Sequence, residues 1–172
     1  VIAWRGPILD RALTQLLADV HWGDLDYLLL DLPPGTGDIA MSLGQKVPTA
    51  EVLVVTTPQQ AASEVAERAG TMAALMNQKI IGVVENMSWL AFTAPDTGKE
   101  YRIDLFGSGG GQEAADALSK RLGTEVPLLA QVPMDIELRK GGDEGDPIVT
   151  AHPESPAAQA IVELAKNLDS RP

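Results

Sequence analysis

Four short, nearly continuous apolar runs constrain the fold of this chain more than any other feature. They cover residues 27–32, 51–57, 79–86 and 126–132, and three of them are followed directly by a proline. Runs of this length without polar alternation are typical of strands that are buried on both faces of a parallel sheet. The sequence therefore predicts four such strands.

Amphipathic stretches lie between and around these runs. The predicted helices cover 8–20, 39–47, 59–77, 112–122, 135–140 and 155–168. Pro7 suits the first turn of the first helix, and Ser155 caps the last helix with Pro156 at its first position. Because strands joined by helices form right-handed crossovers, the chain is predicted to be an α/β protein with a three-layer, doubly wound, mainly parallel sheet.

Two segments interrupt this alternation. Residues 87–106 hold a turn at 95–98 between short extended pieces, which predicts an inserted loop or hairpin, and residues 141–146 are typical of a turn-rich loop. The chain has no internal repeat and no linker composition. We therefore expect residues 1–172 to form a single domain.

Charge and cysteine content exclude several kinds of function. The chain has 13 basic and 24 acidic residues, a net charge of −11, and an acidic surface repels nucleic acid. It has no cysteine, which excludes thiolate metal sites within it and fits the cytoplasm. No apolar run approaches the roughly 18 residues of a membrane span, so we expect no membrane partner. The chain starts at Val1 rather than Met, and we expect it to begin within a larger protein.

The segment 26–38, DYLLLDLPPGTGD, carries the strongest functional signal. Asp31 ends an apolar strand, where a carboxylate is costly unless it is paired, and hydrated Mg²⁺ is a common partner for such an aspartate. Pro33 and Pro34 stiffen the turn, and the backbone N–H of Gly35 can approach an anion closely. An isolated Asp-x-Pro would favour a simple turn cap, whereas the whole string favours a nucleotide switch.

This string resembles the switch II region of the deviant-Walker P-loop ATPases, specifically of their Mrp/ApbC branch. Further stretches resemble motifs of that branch in the same order, at 4–7 (WRGP), 54–59 (VVTTPQ), 82–88 (GVVENMS), 106–111 (FGSGGG), 132–135 (VPMD) and 141–143 (GGD). The resemblance covers nearly the whole chain. It implies the C-terminal part of a SIMIBI-like P-loop NTPase that binds ATP and Mg²⁺, forms an ATPase-gated homodimer, and carries iron–sulfur clusters to apo iron–sulfur proteins.

The resemblance also implies roles for individual residues of the switch segment. Asp31 matches the Walker-B-type carboxylate that holds Mg²⁺ through its water shell. Gly35 matches the glycine that senses the γ-phosphate through its backbone, and Pro34 beside it belongs to the nucleotide site. Asp31 and Gly35 are accordingly the predicted catalytic residues.

Three residues further along the chain match the part of the family's site that holds the base. Asn86 matches an asparagine that hydrogen-bonds the adenine edge, and an amide offers the donor and the acceptor that adenine N7 and N6 require. Pro133 and Asp135 match the loop that closes over the base. The glycines at 107–111 could bind an anion at a helix start, but they lack the lysine of a phosphate loop. The missing lysine argues against a nucleotide role for this stretch.

The chain departs from the family pattern in two respects. It contains no Gly-x-x-x-x-Gly-Lys-Ser/Thr, so we expect these residues alone to bind ATP weakly and to be inactive. The family's Cys-Pro-x-Cys should follow Ser88, but the chain reads WLAFTAPDTG there. A [4Fe–4S] cluster, which the family bridges between subunits with those thiolates, has no ligands in this chain.

Two other functions remain possible from the sequence. A MinD/ParA-like positioning ATPase shares the switch, but the last helix, 155–168, lacks the basic face of a membrane anchor. A non-catalytic interaction module would use the acidic surface to bind a partner.

Overall fold

A computed structural model describes residues 5–32 and 37–171, and its centre is a four-stranded sheet. Strand β2 (Ile80–Thr93) lies in the middle and pairs in parallel with β1 (Val52–Thr56) and with β4 (Leu128–Met134). Strand β3 (Glu100–Ile103) pairs antiparallel with the last residues of β2. The sheet is thus mainly parallel, as the apolar runs predict.

The described part of the chain also contains seven helices. Their bounds are α1 Arg5–Ala18, α2 Gly37–Lys46, α3 Gln60–Leu75, α4 Gly110–Leu122, α5 Ile136–Glu144, α6 Ile148–Ala151 and α7 Pro156–Asp169. Helix α5 extends through most of the predicted loop 141–146, and α6 was not predicted because four residues are too short for a helical periodicity to show. None of these helices is long and apolar enough to cross a membrane.

Consecutive residues of β2 face opposite layers, which makes the fold a three-layer sandwich. Val83 packs with the apolar sides of α3 and α4, including Ala66 and Leu118. Val84 packs with the other layer, including Ala157 and Ala158 of α7. Because side chains alternate along a strand, an unbroken apolar run serves both cores at once. The predicted α/β fold class is confirmed.

The prediction of a buried strand at 27–32 is wrong for the structure described here. The segment has no regular secondary structure, and Leu29 is 90% exposed. An apolar run shows that a segment favours burial, but a strand also needs a neighbouring strand to pair with its backbone. No strand within residues 5–32 and 37–171 pairs with this segment.

The segment 87–106 forms the far end of β2, a turn and β3. Phe92 of β2 stacks on Tyr101 of β3 with their ring centroids 5.3 Å apart. The guanidinium of Arg102 lies 4.1 Å from the ring centroid of Trp89. These cross-strand contacts explain why the pairing of β2 continues beyond the predicted end at Asn86.

Candidate functional site

The carboxyl ends of the parallel strands meet at one edge of the sheet, and ligands bind at this edge in open α/β sheets. Asn86 on β2 is in register with Val132 on β4, so Asn86 lies beside the start of the segment 133–135. This segment, called the loop 133–135 below, consists of the last two residues of β4 and the residue before α5. At the end of β1, the Oγ1 atom of Thr57 is buried without a hydrogen-bond partner among the described residues. Three of the predicted site residues, Asn86, Pro133 and Asp135, therefore lie at this edge.

A tight turn fixes the side chain of Asn86. Its Oδ1 accepts a hydrogen bond from the backbone N–H of Met87 at 2.8 Å, and Met87 has a positive φ of 56°. The Ser88 hydroxyl donates to the backbone oxygen of Glu85 at 2.9 Å. The Asn86 amide is thus oriented by the protein before any ligand binds.

A buried carboxylate, which the sequence prediction missed, lies directly before this turn. Glu85 is only 1% exposed. One carboxylate oxygen accepts from the backbone N–H of Gly111 at 2.7 Å, and the other accepts from Nε2 of Gln131 at 2.8 Å. The sequence could have indicated this role, because Glu85 is a charged residue within an apolar strand, and a charged residue needs hydrogen-bond partners once it is buried.

The glycines at the start of α4 allow close packing at this edge. A Cβ at Gly110 would lie 2.4 Å from the carbonyl oxygen of Pro58, and a Cβ at Gly111 would lie 2.6 Å from Cβ of Glu85. Ser63 donates to the carbonyl oxygen of Gly110 at 2.9 Å. The Gly111 amide is already bonded to Glu85, which favours the packing role of this glycine-rich stretch over anion binding.

Asp135 begins α5 as its N-cap. Its carboxylate accepts from the backbone N–H groups of Glu137 at 2.7 Å and Leu138 at 3.3 Å, which satisfies donors that a helix start leaves unpaired. Pro133 is buried near the end of β4. The loop 133–135 is therefore held firmly beside Asn86.

Asp31 lies in the exposed, irregular segment, and no described hydrogen bond or ion pair joins it to Asn86 or Asp135 within residues 5–32 and 37–171. The other two predicted switch residues, Pro34 and Gly35, lie outside the described residues. The structure thus places Asn86 next to the end of β4 that leads through Pro133 to Asp135, and no described contact joins Asp31 to these residues.

The start of this exposed segment is tied to the opposite end of the sheet. The Tyr27 hydroxyl donates to Asp169, the last residue of α7, at 2.7 Å, and Arg171 contacts Glu51, just before β1, at 3.1 Å. The hydrogen bond to Asp169 raises the pKa of the Tyr27 hydroxyl above its usual 10.0. Tyr27 therefore lies near the amino end of the sheet.

The residues of this chain do not fit an iron–sulfur cluster, whereas Asp31 offers the type of ligand that Mg²⁺ takes. Within the described ranges, no three His, Asp or Glu side chains come together as a metal site. Mg²⁺ bound to a nucleotide takes only one or two protein carboxylates besides phosphates and water, and Asp31 is the residue that we expect to supply one. A [4Fe–4S] cluster needs thiolates, and the chain has no cysteine. After Ser88, where the resemblance to the Mrp/ApbC branch predicts a cysteine motif, the structure has the stacked hairpin of β2 and β3.

Comparison with known proteins gives three consistent findings. A profile described as "ParA: NUBPL iron-transfer P-loop NTPase" matches residues 1–169. The chain is 56% identical to the iron-sulfur cluster carrier protein of Mycobacterium leprae, with a match over 99% of this chain and 43% of that protein. It is 48% identical to the protein of the same name from Deinococcus radiodurans, over 97% of this chain and 44% of that protein. The chain thus spans less than half the length of these curated relatives.

Two solved structures are similar in fold. A nucleotide-binding protein from Archaeoglobus fulgidus in complex with ADP superposes with a TM-score of 0.62 and 36% identity, over 81% of this chain and 53% of that one. The septum site-determining protein MinD from Pyrococcus horikoshii, complexed with Mg-ADP, superposes with a TM-score of 0.65 and 25% identity, over 99% of this chain and 61% of that one.

Proposed function

This chain belongs to the ParA family of NUBPL-type iron-transfer P-loop NTPases, and we propose that it is the switch-bearing part of an ATP-hydrolysing iron–sulfur cluster carrier. The observation that carries the proposal is the adjacency of Asn86 and the loop 133–135 at the carboxyl edge of the sheet. The names of relatives that are 41–56% identical over nearly the whole chain support the carrier role.

In this proposal the base of ATP binds beside Asn86. Oδ1 of Asn86 accepts one hydrogen bond from Met87; the amide nitrogen would act as a donor to the base, and the second lone pair of the oxygen would accept from an amino group. This arrangement suits N7 and N6 of adenine. Pro133 and Asp135 hold the neighbouring loop and would flank the base.

Asp31, Pro34 and Gly35 would serve the phosphate end of the same nucleotide. Tyr27 is anchored at the amino end of the sheet, and five extended residues from Tyr27 to Asp31 would cover about 13 Å, which equals the reach of the five residues of β1. Asp31 would then arrive at the carboxyl edge. There it would hold the water shell of Mg²⁺, which neutralises phosphate charge during attack by water.

The remaining phosphate donors would come from polypeptide beyond these residues, because the chain contains no P-loop motif. We expect residues 1–172 to act as a single domain, the C-terminal part of the NTPase domain, and to hydrolyse ATP poorly without the rest. The cluster is cargo in this proposal, and its thiolate ligands would also lie elsewhere in the intact protein. A cytoplasmic homodimer that delivers clusters to apo iron–sulfur proteins is the expected working state.

The structure offers no support for the positioning-ATPase alternative. Such a protein could use its last helix as a membrane anchor, but Ala157 and Ala158 of α7 are fully buried against the sheet. Identity to the MinD structure is also lower than identity to the named carriers. A pure interaction module would show no ATP binding in the intact protein.

The decisive experiment is steady-state ATP hydrolysis by the intact protein with Asp31→Ala. We expect kcat to fall at least about 100-fold, because one group that stabilises transition-state charge is lost. Asp96→Ala, which removes an exposed carboxylate from the hairpin turn, is the matched control and should leave kcat unchanged. A near-normal kcat for Asp31→Ala would refute the proposed role.

A further inference from the structure

The buried carboxylate of Glu85 has no part in the proposed chemistry, yet it is an expensive feature of the fold. Burying a carboxylate costs several kcal/mol before its partners offset this. Replacing a buried polar group by an apolar one of similar shape is often neutral or stabilising. Residues 80–84 of the same strand are apolar apart from Gly82. Stability alone therefore gives no reason for a glutamate at this position.

The hydrogen bonds of Glu85 join three elements at one point. Its two oxygens bond to the first turn of α4 through Gly111 and to β4 through Gln131, and bonds from N–H groups to a carboxylate are stronger and more directional than neutral ones. The negative charge also lies at the amino end of α4, where the helix dipole favours it. No apolar residue could fix these positions in the same way.

The location of this junction relates it to the proposed base site. Glu85 is in register with Gln131, and the next pair is Asn86 with Val132. The ladder then becomes irregular, since β2 advances four residues to Leu90 while β4 advances two to Met134. Only one regular cross-strand pair, Asn86 with Val132, follows the pair of Glu85 and Gln131. Beyond it the two strands lead into the segments that would flank the base.

We propose that Glu85 is a positioning residue of the nucleotide site: its carboxylate holds β2, β4 and the start of α4 in the arrangement that places Asn86 beside the loop 133–135. This inference rests on the nucleotide site proposed above. It adds that the affinity for ATP depends on a residue that does not itself touch the nucleotide.

The test measures ATP affinity and kcat of the intact protein with Glu85→Met and with Glu85→Gln. Glu85→Met removes both acceptor oxygens and leaves the backbone N–H of Gly111 buried without a partner. We expect KM and Kd for ATP to rise about tenfold, equivalent to about 1.4 kcal/mol, while kcat changes less than threefold. In Glu85→Gln, the amide oxygen can still accept from Gly111, and the amide NH₂ can donate to the oxygen of Gln131 once the exposed Gln131 amide turns over. ATP affinity should therefore stay within about threefold of wild type.

The matched control separates positioning from general destabilisation. Ser119 accepts a hydrogen bond from the backbone N–H of Val126 at 2.8 Å, near the amino end of β4. Ser119→Ala removes a partly buried bond from the segment that leads into the same strand, at the opposite edge of the sheet. It should lower Tm without changing ATP affinity below the transition.

The outcomes distinguish this inference from the function on which it rests. If wild-type protein binds ATP but Glu85→Met binds it equally well, or if Ser119→Ala weakens ATP binding as much, the positioning role is refuted and the ATPase proposal stands. A loss of affinity in Glu85→Gln as large as the expected tenfold also refutes it, and this outcome can be read even if Glu85→Met does not fold. If the wild-type protein does not bind ATP, both proposals fail.

Discussion

Gly110→Ala is the sharpest test of the packing at the carboxyl edge. The new Cβ would lie 2.4 Å from the carbonyl oxygen and 2.6 Å from the carbonyl carbon of Pro58. Backbone atoms cannot rotate away as a side chain can, so α4 must move by roughly 1 Å to restore an ordinary contact distance. Overpacking of this kind costs about 1–3 kcal/mol, and the movement strains the Ser63 hydrogen bond to Gly110, worth about 1 kcal/mol.

We therefore expect Gly110→Ala to lower the free energy of unfolding by about 2–4 kcal/mol, measured by urea denaturation of the intact protein followed by circular dichroism. The matched control is Gly142→Ala in α5, where a new Cβ has no atom within 4 Å. Alanine is favoured over glycine inside a helix by about 1 kcal/mol, so this variant should be slightly more stable. Wild-type stability for Gly110→Ala, or an equal loss in both variants, would refute the reasoning.

Two further predictions concern the contacts outside the site. The pKa of Tyr27 is raised because its protonated hydroxyl donates to Asp169. The stability that this hydrogen bond adds to the folded state is therefore complete below pH 10.0 and is lost as the pH rises through the higher pKa of the folded state. Asp169→Asn should lower the Tyr27 pKa in an ultraviolet titration, and an unchanged titration would contradict the contact. Arg102→Ala should destabilise the hairpin by about 0.5–1 kcal/mol through loss of the contact with Trp89, measured by hydrogen exchange of β3, whereas Arg102→Lys should retain part of it.

The sequence was sufficient to predict the three strands that pair in parallel in the structure, β1, β2 and β4. The central run 79–86 is apolar because Val83 and Val84 of β2 face two different cores, and the runs 51–57 and 126–132 carry the same pattern on the neighbouring strands. The order of apolar residues along the chain is enough to reveal this pattern. The run 27–32 carries the same pattern, but pairing is a property of a neighbouring backbone and has no signature in the segment itself. Two short extended pieces were predicted within 87–106, but not that the first of them continues β2 without a break.

The candidate site was predictable only where a family motif marked it. Asn86, Pro133 and Asp135 were identified by resemblance, and the register of β2 with β4 explains why they lie together. The role of Asp31 stays a prediction, since the structure does not join it to that site. Glu85 was not predicted because a glutamate on an exposed strand needs no protein partners. The sequence does not show that Glu85 is buried, and only this burial makes its hydrogen bonds necessary.

The exposed leucines at 28–30 have a consequence for handling the molecule. A short run of large apolar residues with high exposure is a point at which copies of a chain adhere and aggregate. Asp26 and Asp31 flank this run, and their negative charges oppose such association. The net charge of −11 on each molecule opposes it further by electrostatic repulsion. In a chain of residues 1–172 alone, Asp31→Ala should therefore lower colloidal stability, and its light scattering should rise more steeply with salt than that of Asp96→Ala in the same chain. In the intact protein, where residues 27–31 are proposed to reach the carboxyl edge of the sheet, no such difference is expected.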